Sequence, residues 1–208
     1  MKSILFSLLL FAGFACMAQS DRYTEAMKKN LALFGTAKTT ADYQSLANSF
    51  ERIGDAEKTQ WLPYYYAGLS LCTAGWNDPK LDRDANSARI NALCDKAEII
   101  EKNSEICGLR NMSATQQMMV DPQTRWQTYG QQASAALASG LKMDPENPRL
   151  YYLQAEGIMN TPEAFGGGKA KAKPIFEKAI ELFKKQQPKP LYPNWGQERA
   201  EEELAKCQ

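Results

Sequence analysis

The chain has 208 residues, 44% of them hydrophobic, with 25 Lys and Arg against 24 Asp and Glu and no histidine. That is enough apolar material for one continuous core, and the balanced charge gives no electrostatic footprint for nucleic acid or an anionic membrane. Lacking histidine, the chain excludes Ser-His-Asp and Cys-His schemes and most catalytic zinc sites. Carboxylates, lysines and thiolates remain, and no motif arranges them for catalysis, so no enzyme activity, cofactor or metal is expected.

The opening stretch is MKSILFSLLLFAGFACMAQS. Lys2 supplies a positive end, and the apolar run Ile4 to Phe14 is too short to span a membrane. Cys16-Met17-Ala18 is a small-x-small cleavage site. Residues 1–18 therefore read as a signal peptide and 19–208 as one domain, exported to the periplasm or the medium and without a membrane span after cleavage. Two alternatives stay open. Cys16 is lipidated, although Gly13 stands where a lipobox wants a Leu-like residue, or the leader is retained as an anchor. An exported protein sits where disulfides are allowed. The mature cysteines are Cys72, Cys94, Cys107 and Cys207, with no C-x-x-C pair to suggest zinc. Cys94 and Cys107 fall on consecutive antiparallel helices, but a rise of about 1.5 Å per residue offsets them by roughly 7 Å. That offset is hard to bridge, so free thiols are expected.

The mature chain reads as helices throughout. Tyr23, Met27, Leu31 and Phe34 share one face of a first helix that ends at Gly35. Thr39 or Thr40 caps the next, with Asp42 in its first turn and Tyr43, Leu46, Phe50 and Ile53 inward. Thr59 to Gly75 is the most apolar stretch, with Pro63 tolerable in a first turn and Tyr64, Ala67, Gly68 and Leu71 as its packing face. The charged loop WNDPKLDRD leads to Ala85–Lys102, whose face is Ile90, Cys94, Ala97 and Ile100. A methionine-rich helix, Ser104–Val120, follows. Asp121-Pro122 opens a further helix that carries Trp126, Tyr129, Ala133, Leu137, Gly140 and Met143. Asp144-Pro145 and Asn147-Pro148 are turns before a helix from Leu150 to Met159. After Phe165-Gly-Gly-Gly168 comes Lys169–Gln187, with Ala172, Phe176, Ala179 and Leu182. QQPKPLYP is a proline-rich link to a last, mostly charged helix, Asn194–Lys206, which offers Trp195, Ala200 and Leu204 to a neighbour.

Ala133-Leu137-Gly140-Met143 and Ala172-Phe176-Ala179-Leu182 repeat one pattern, small and large residues in alternation on one face, so that neighbouring helices can approach closely. The first set, followed by Pro145 and then by Tyr151, Ala155 and Ile158, resembles the tetratricopeptide repeat. ASAALASGLKMDPENPRLYYL with TPEAFGGGKAKAKPIFEKAIELF further resembles a group of small exported bacterial repeat proteins. The resemblance implies an all-α, right-handed stack, a tetratricopeptide-like α-solenoid of about four antiparallel helix pairs with a polar terminal helix shielding its end.

The same resemblance implies a protein or peptide partner held on the concave side, which the first helix of each pair lines. In that phase the groove residues are Tyr65, Leu69, Met112, Gln116, Arg149, Tyr152 and Glu156, types suited to interfaces. The competing reading places the tyrosines in the core. Other motifs are weaker. The triple glycine before Lys169 offers an anion site or simply a turn that needs positive φ. Arg125 beside Trp126 pairs with an acid near the groove end or packs over an aromatic ring. Glu98, Glu101 and Glu105, like Glu198, Glu201 and Glu202, read as catalytic carboxylates or as solvated faces. A structural subunit of an envelope complex is a further alternative.

Overall fold

Every regular element among the described residues is helical. The computed structural model describes residues 21–187 and 189–207, so the expected leader and Cys16 lie outside the described residues. Helix α1 is residues 21–34, α2 is Thr40–Glu57, α3 Leu62–Asn77, α4 Arg83–Ile100 and α5 Ser104–Met118. A short α6, Pro122–Arg125, runs through a π turn, Trp126–Gly130, into α7, Gln131–Met143. Then come α8, Pro148–Asn160, a 3-10 turn at Glu163–Phe165, α9, Lys169–Lys185, and α10, Gln197–Ala205. The helix expected to run unbroken from Trp126 is thus interrupted by the π turn.

Local chemistry sets the helix starts. Thr39 forms a capping box with Asp42, accepting from the Asp42 N–H at 3.1 Å while the Asp42 carboxylate accepts the Thr39 N–H at 2.9 Å. Asp82, Asn103 and Asn147 cap α4, α5 and α8 through their side-chain oxygens. Proline occupies the first turn of α3, α6 and α8, where a missing N–H costs nothing.

Packing then follows chain order. Phe34 of α1 meets Tyr43 of α2 edge to face at 5.7 Å. α3 packs on α2 and α4, α5 on α4 and α7, and α8 on α9, while α5 lies between α3 and α8. α10 closes onto α9. The fold is the expected all-α stack of antiparallel helix pairs with a terminal helix. Two groups of buried side chains fill it, one around α2–α5 and one around α8–α10, and Met112 and Trp195 touch both.

α3 departs from its expected single packing face. Every residue from Trp61 to Cys72 is buried, as befits a helix that is apolar all round. Full burial of a large apolar side chain contributes about 1.5–3 kcal/mol, so Tyr65, Leu71 and their neighbours make α3 the centre of the larger core. The small-large faces hold in α4 and α9, where Ile90, Cys94, Ala97, Ala172, Phe176 and Ala179 are all buried. In α7 the pattern holds for Ala133 and Gly140, but Met143 is 53% exposed at the helix end. Cys72, Cys94, Cys107 and Cys207 are free and buried.

Gly140 shows why small residues stand on these faces. A Cβ there would lie 2.7 Å from Leu150 Cδ1 and 2.9 Å from Cys107 Cβ. Glycine lets α7 close on α5 and α8. Gly140→Leu should therefore cost about 1–3 kcal/mol by overpacking, read as a fall of several degrees in melting temperature at roughly 2–4 °C per kcal/mol. An unchanged melting temperature would contradict this contact.

Candidate functional site

The residues expected to line an open groove are mostly inside the protein. Tyr65 is 1% exposed, Leu69 5%, Gln116 0%, Arg149 3% and Tyr152 6%, with Met112 and Glu156 half-buried. For Tyr65 and Tyr152 the physical reason is residues 191–196, which run from the proline-rich link to α10 and lie across them as a strap; Trp195, expected inside the last helix, stands in this strap because α10 begins at Gln197. Trp195 Nε1–H donates to the Tyr65 hydroxyl at 2.9 Å, and the Tyr66 hydroxyl donates to the Leu191 carbonyl at 2.9 Å. Tyr192 packs edge-on to Trp61 at 5.6 Å, and Trp195 edge-on to Tyr152 at 6.2 Å. Leu191 takes φ 67, a left-handed value that costs energy in a bulky residue and persists only where surroundings impose it. Gly196 takes φ 106, and a Cβ there would lie 2.9 Å from Phe183 Cζ and 3.6 Å from Arg149 Cγ. The expectation of open polar tips is corrected accordingly.

Beneath the strap lies a buried polar knot. The Arg149 guanidinium donates to both Glu105 carboxylate oxygens at 2.7–2.9 Å and to the Gln186 side chain at 3.0 Å. Asn147 Nδ2 donates to Glu105 at 2.7 Å and to the Ser104 hydroxyl at 2.9 Å. Tyr65 completes the knot, and burial, then the Glu105 charge, hold its phenol well above the usual tyrosine range. Gln116 serves a separate link. Its amide donates to the Cys72 carbonyl at 2.6 Å and its oxygen accepts from Asn86, tying α5 to α3 and α4.

Glu156 sits where α8 meets α10. Burial raises its carboxyl above the ordinary glutamate range, the Tyr152 hydroxyl partly offsets this, and the Glu203 charge adds to it. Glu203 is itself held by Arg199 at 3.0 Å and Lys206 at 2.7 Å. The other acidic runs are dispersed. Glu98 pairs with Arg110 at 2.8 Å, Glu105 with Arg149 and Glu202 with Arg199. Glu101, Glu198 and Glu201 are exposed. Among the described residues no group of three or more Cys, Asp or Glu is placed to hold a metal ion, and no helix is long and apolar enough to cross a membrane. At the triple glycine, Gly166 and Gly168 take φ 87 and 100, the turn that positive φ requires.

A second region went unnoticed in the sequence. Large apolar side chains are exposed after the first helix of each pair, at Leu33, Trp76, Met119, Val120, Trp126 and Phe165, while Ile99 and Met143 are exposed at the ends of α4 and α7. Several loops of this edge touch. The Thr40 hydroxyl reaches Asp78 at 3.4 Å, and Arg83 Nη1 donates to the Met119 carbonyl at 3.4 Å. The Arg83 guanidinium lies 5.9 Å from the centre of the Trp76 ring. Arg125 grips Asp84 at 2.7 and 2.9 Å and packs over Tyr129 at 5.7 Å, so both readings of Arg125 hold at once. The available signal was one tryptophan opening the charged loop WNDPKLDRD and another following Asp121–Arg125.

No protein-family model and no curated protein matches the chain. Among solved structures it is similar to the HusA haemophore from Porphyromonas gingivalis, with 35% identity and a TM-score of 0.82 over 89% of this chain and 92% of that one. The chain belongs to the HusA family. HusA and this chain thus share an all-α architecture along nearly their whole lengths. The tetratricopeptide resemblance itself rests on the Ala133–Pro145 spacing and the layout of helix pairs.

Two outcomes follow from the buried groups. Arg149→Ala strands the Glu105 charge and should cost about 3–5 kcal/mol in urea unfolding; a loss of about 1 kcal/mol or less, the range of exposed pairs, would show that the knot is solvated. Glu156→Gln tests the raised carboxyl. With a folded pKa above its unfolded value, Glu156 contributes stability that is full below about pH 4.3, the unfolded value, and lost as pH rises through the folded pKa. The variant should therefore gain stability relative to the parent as pH rises towards neutrality. A pH-independent difference in melting temperature would contradict the burial.

Proposed function

We propose that the chain is an exported, non-catalytic carrier of haem. The observation that supports this reading is its 35% identity, over 92% of the HusA chain, to a protein that is a haemophore. The chain's own chemistry is compatible. Haem is a flat apolar ring with two carboxylates, and the loop edge offers exposed tryptophan and methionine side chains beside guanidinium groups. Haem here is cargo, and no step of bond making is required of the protein.

A peptide groove on the concave face receives less support. Under the carrier reading, Tyr65, Leu69, Gln116, Arg149 and Tyr152 hold the strap and the core, Met112 bridges the two core groups, and Glu156 secures α10. The carboxylate-enzyme reading receives less support too: Glu98, Glu105 and Glu202 are taken up in ion pairs, Glu101, Glu198 and Glu201 are exposed, and Glu203, whose charge reaches Glu156, is held by Arg199 and Lys206.

Titrating haem into the protein should give a saturable change in the Soret band together with quenching of tryptophan fluorescence, since Trp76 and Trp126 are exposed. Absorbance that grows linearly, as with an unrelated protein of the same size, would overturn the reading.

A further inference from the structure

We infer that the haem site is the loop edge built by Trp76, Arg83, Met119 and Trp126, an assignment that rests on the carrier reading above. Chemistry and position both point there. On the face expected to be concave, the strap covers Tyr65, Tyr66 and Tyr152, so the aromatic side chains there are already engaged. At the edge, Trp76 is 43% exposed, Met119 44%, Val120 46% and Trp126 54%. These side chains come from separate parts of the chain, the end of α3, the end of α5 and the π turn. Contacts link them in series. Trp76 lies against Arg83, Arg83 bonds the Met119 carbonyl, and Asp84, next in sequence, is gripped by Arg125 beside Trp126.

Charge on this edge is arranged unequally. Asp84 is neutralised by Arg125. The Asp82 carboxylate is used as the cap of α4, and the Asp78 carboxylate accepts from Lys80 N–H and the Thr40 hydroxyl. Arg83 differs from Arg125. Its Nε is buried without a hydrogen-bond partner, and its polar contact is a carbonyl rather than a carboxylate. A buried donor left unpaired carries a desolvation cost that an incoming carboxylate removes. A guanidinium also matches a carboxylate in geometry. The arrangement is therefore an apolar surface for a ring, with a cation placed for a carboxylate on its rim. The π turn at Trp126–Gly130 is a backbone irregularity of the kind that often marks functional positions in helices.

The test uses haem and its dimethyl ester, whose carboxylates are blocked. Trp76→Ala and Trp126→Ala should each weaken haem binding about tenfold or more, as truncation of aromatic anchors does. Ile99→Ala, which removes an 86% exposed apolar side chain at the end of α4, should leave it unchanged. Arg83→Gln should weaken haem binding but not binding of the dimethyl ester. All the variants alter partly exposed side chains, and unchanged circular dichroism will confirm their folding. If the parent protein binds haem and the edge variants bind it equally well, the site lies elsewhere and the carrier reading survives. If the parent does not bind haem, both fall. If the edge variants instead lose sedimentation with phosphatidylcholine–phosphatidylglycerol vesicles while haem titrations are unchanged, the edge is a membrane contact and the assignment is overturned.

Discussion

The arrangement of this protein depends on one buried ion pair, Arg149 with Glu105, 3% and 11% exposed. Two charges removed from water are tolerable only if their mutual attraction is supplemented by further hydrogen bonds. Here those bonds come from different parts of the chain: Asn147 before α8, Gln186 after α9, and Tyr65 of α3 in line with Trp195 of the strap. Satisfying the pair therefore brings α3, α5, α8, α9 and the strap to one place. Such a pair is weak evidence for net stability. Its demand for partners, however, disfavours alternative placements of the strap, since each would leave a charge or a phenol unsatisfied.

That constraint settles which surfaces are available. In an open stack of helix pairs the concave face is the natural place for a partner. In this chain the face is occupied by Leu191, Tyr192 and Trp195, and α10 closes the array beyond them. The left-handed backbone at Leu191 shows that the strap is held against local preference. Most of the large apolar side chains that remain exposed lie at the loop edge, Ile99 and Met143 at the ends of α4 and α7 being the others among the described residues.

Under the proposed haem-carrier reading, the layout of charge and exposed aromatic side chains directs attention to that edge. A binding protein for a planar, largely apolar anion needs ring-sized apolar area and one or two cations, and it needs neither a metal-ligating cluster nor a carboxylate pair. Arg83 and Arg125 illustrate how one edge assigns two similar side chains to different tasks. Arg125 is engaged by Asp84 and stiffens the loop, while Arg83 keeps an unpaired donor beside Trp76.

Helix periodicity, caps and the alternation of small and large residues determined the helix pairs, because these depend on interactions within a few residues along the chain. Thr39 with Asp42, Ala172 with Phe176 and Ala179, and the terminal helix with Ala200 were all legible in this way. Tertiary structure alone decided the rest. Periodicity marks a helix face as apolar without saying whether solvent, another helix or a distant loop covers it. Tyr65 and Tyr152 could as well have lined a groove until Trp195, 130 residues beyond Tyr65, was placed on them. The loop edge escaped for the opposite reason. Trp76 and Met119 are separated in sequence by α4 and α5, and Trp126 follows the short α6, so only the alignment of the first helix in each pair brings their loops side by side.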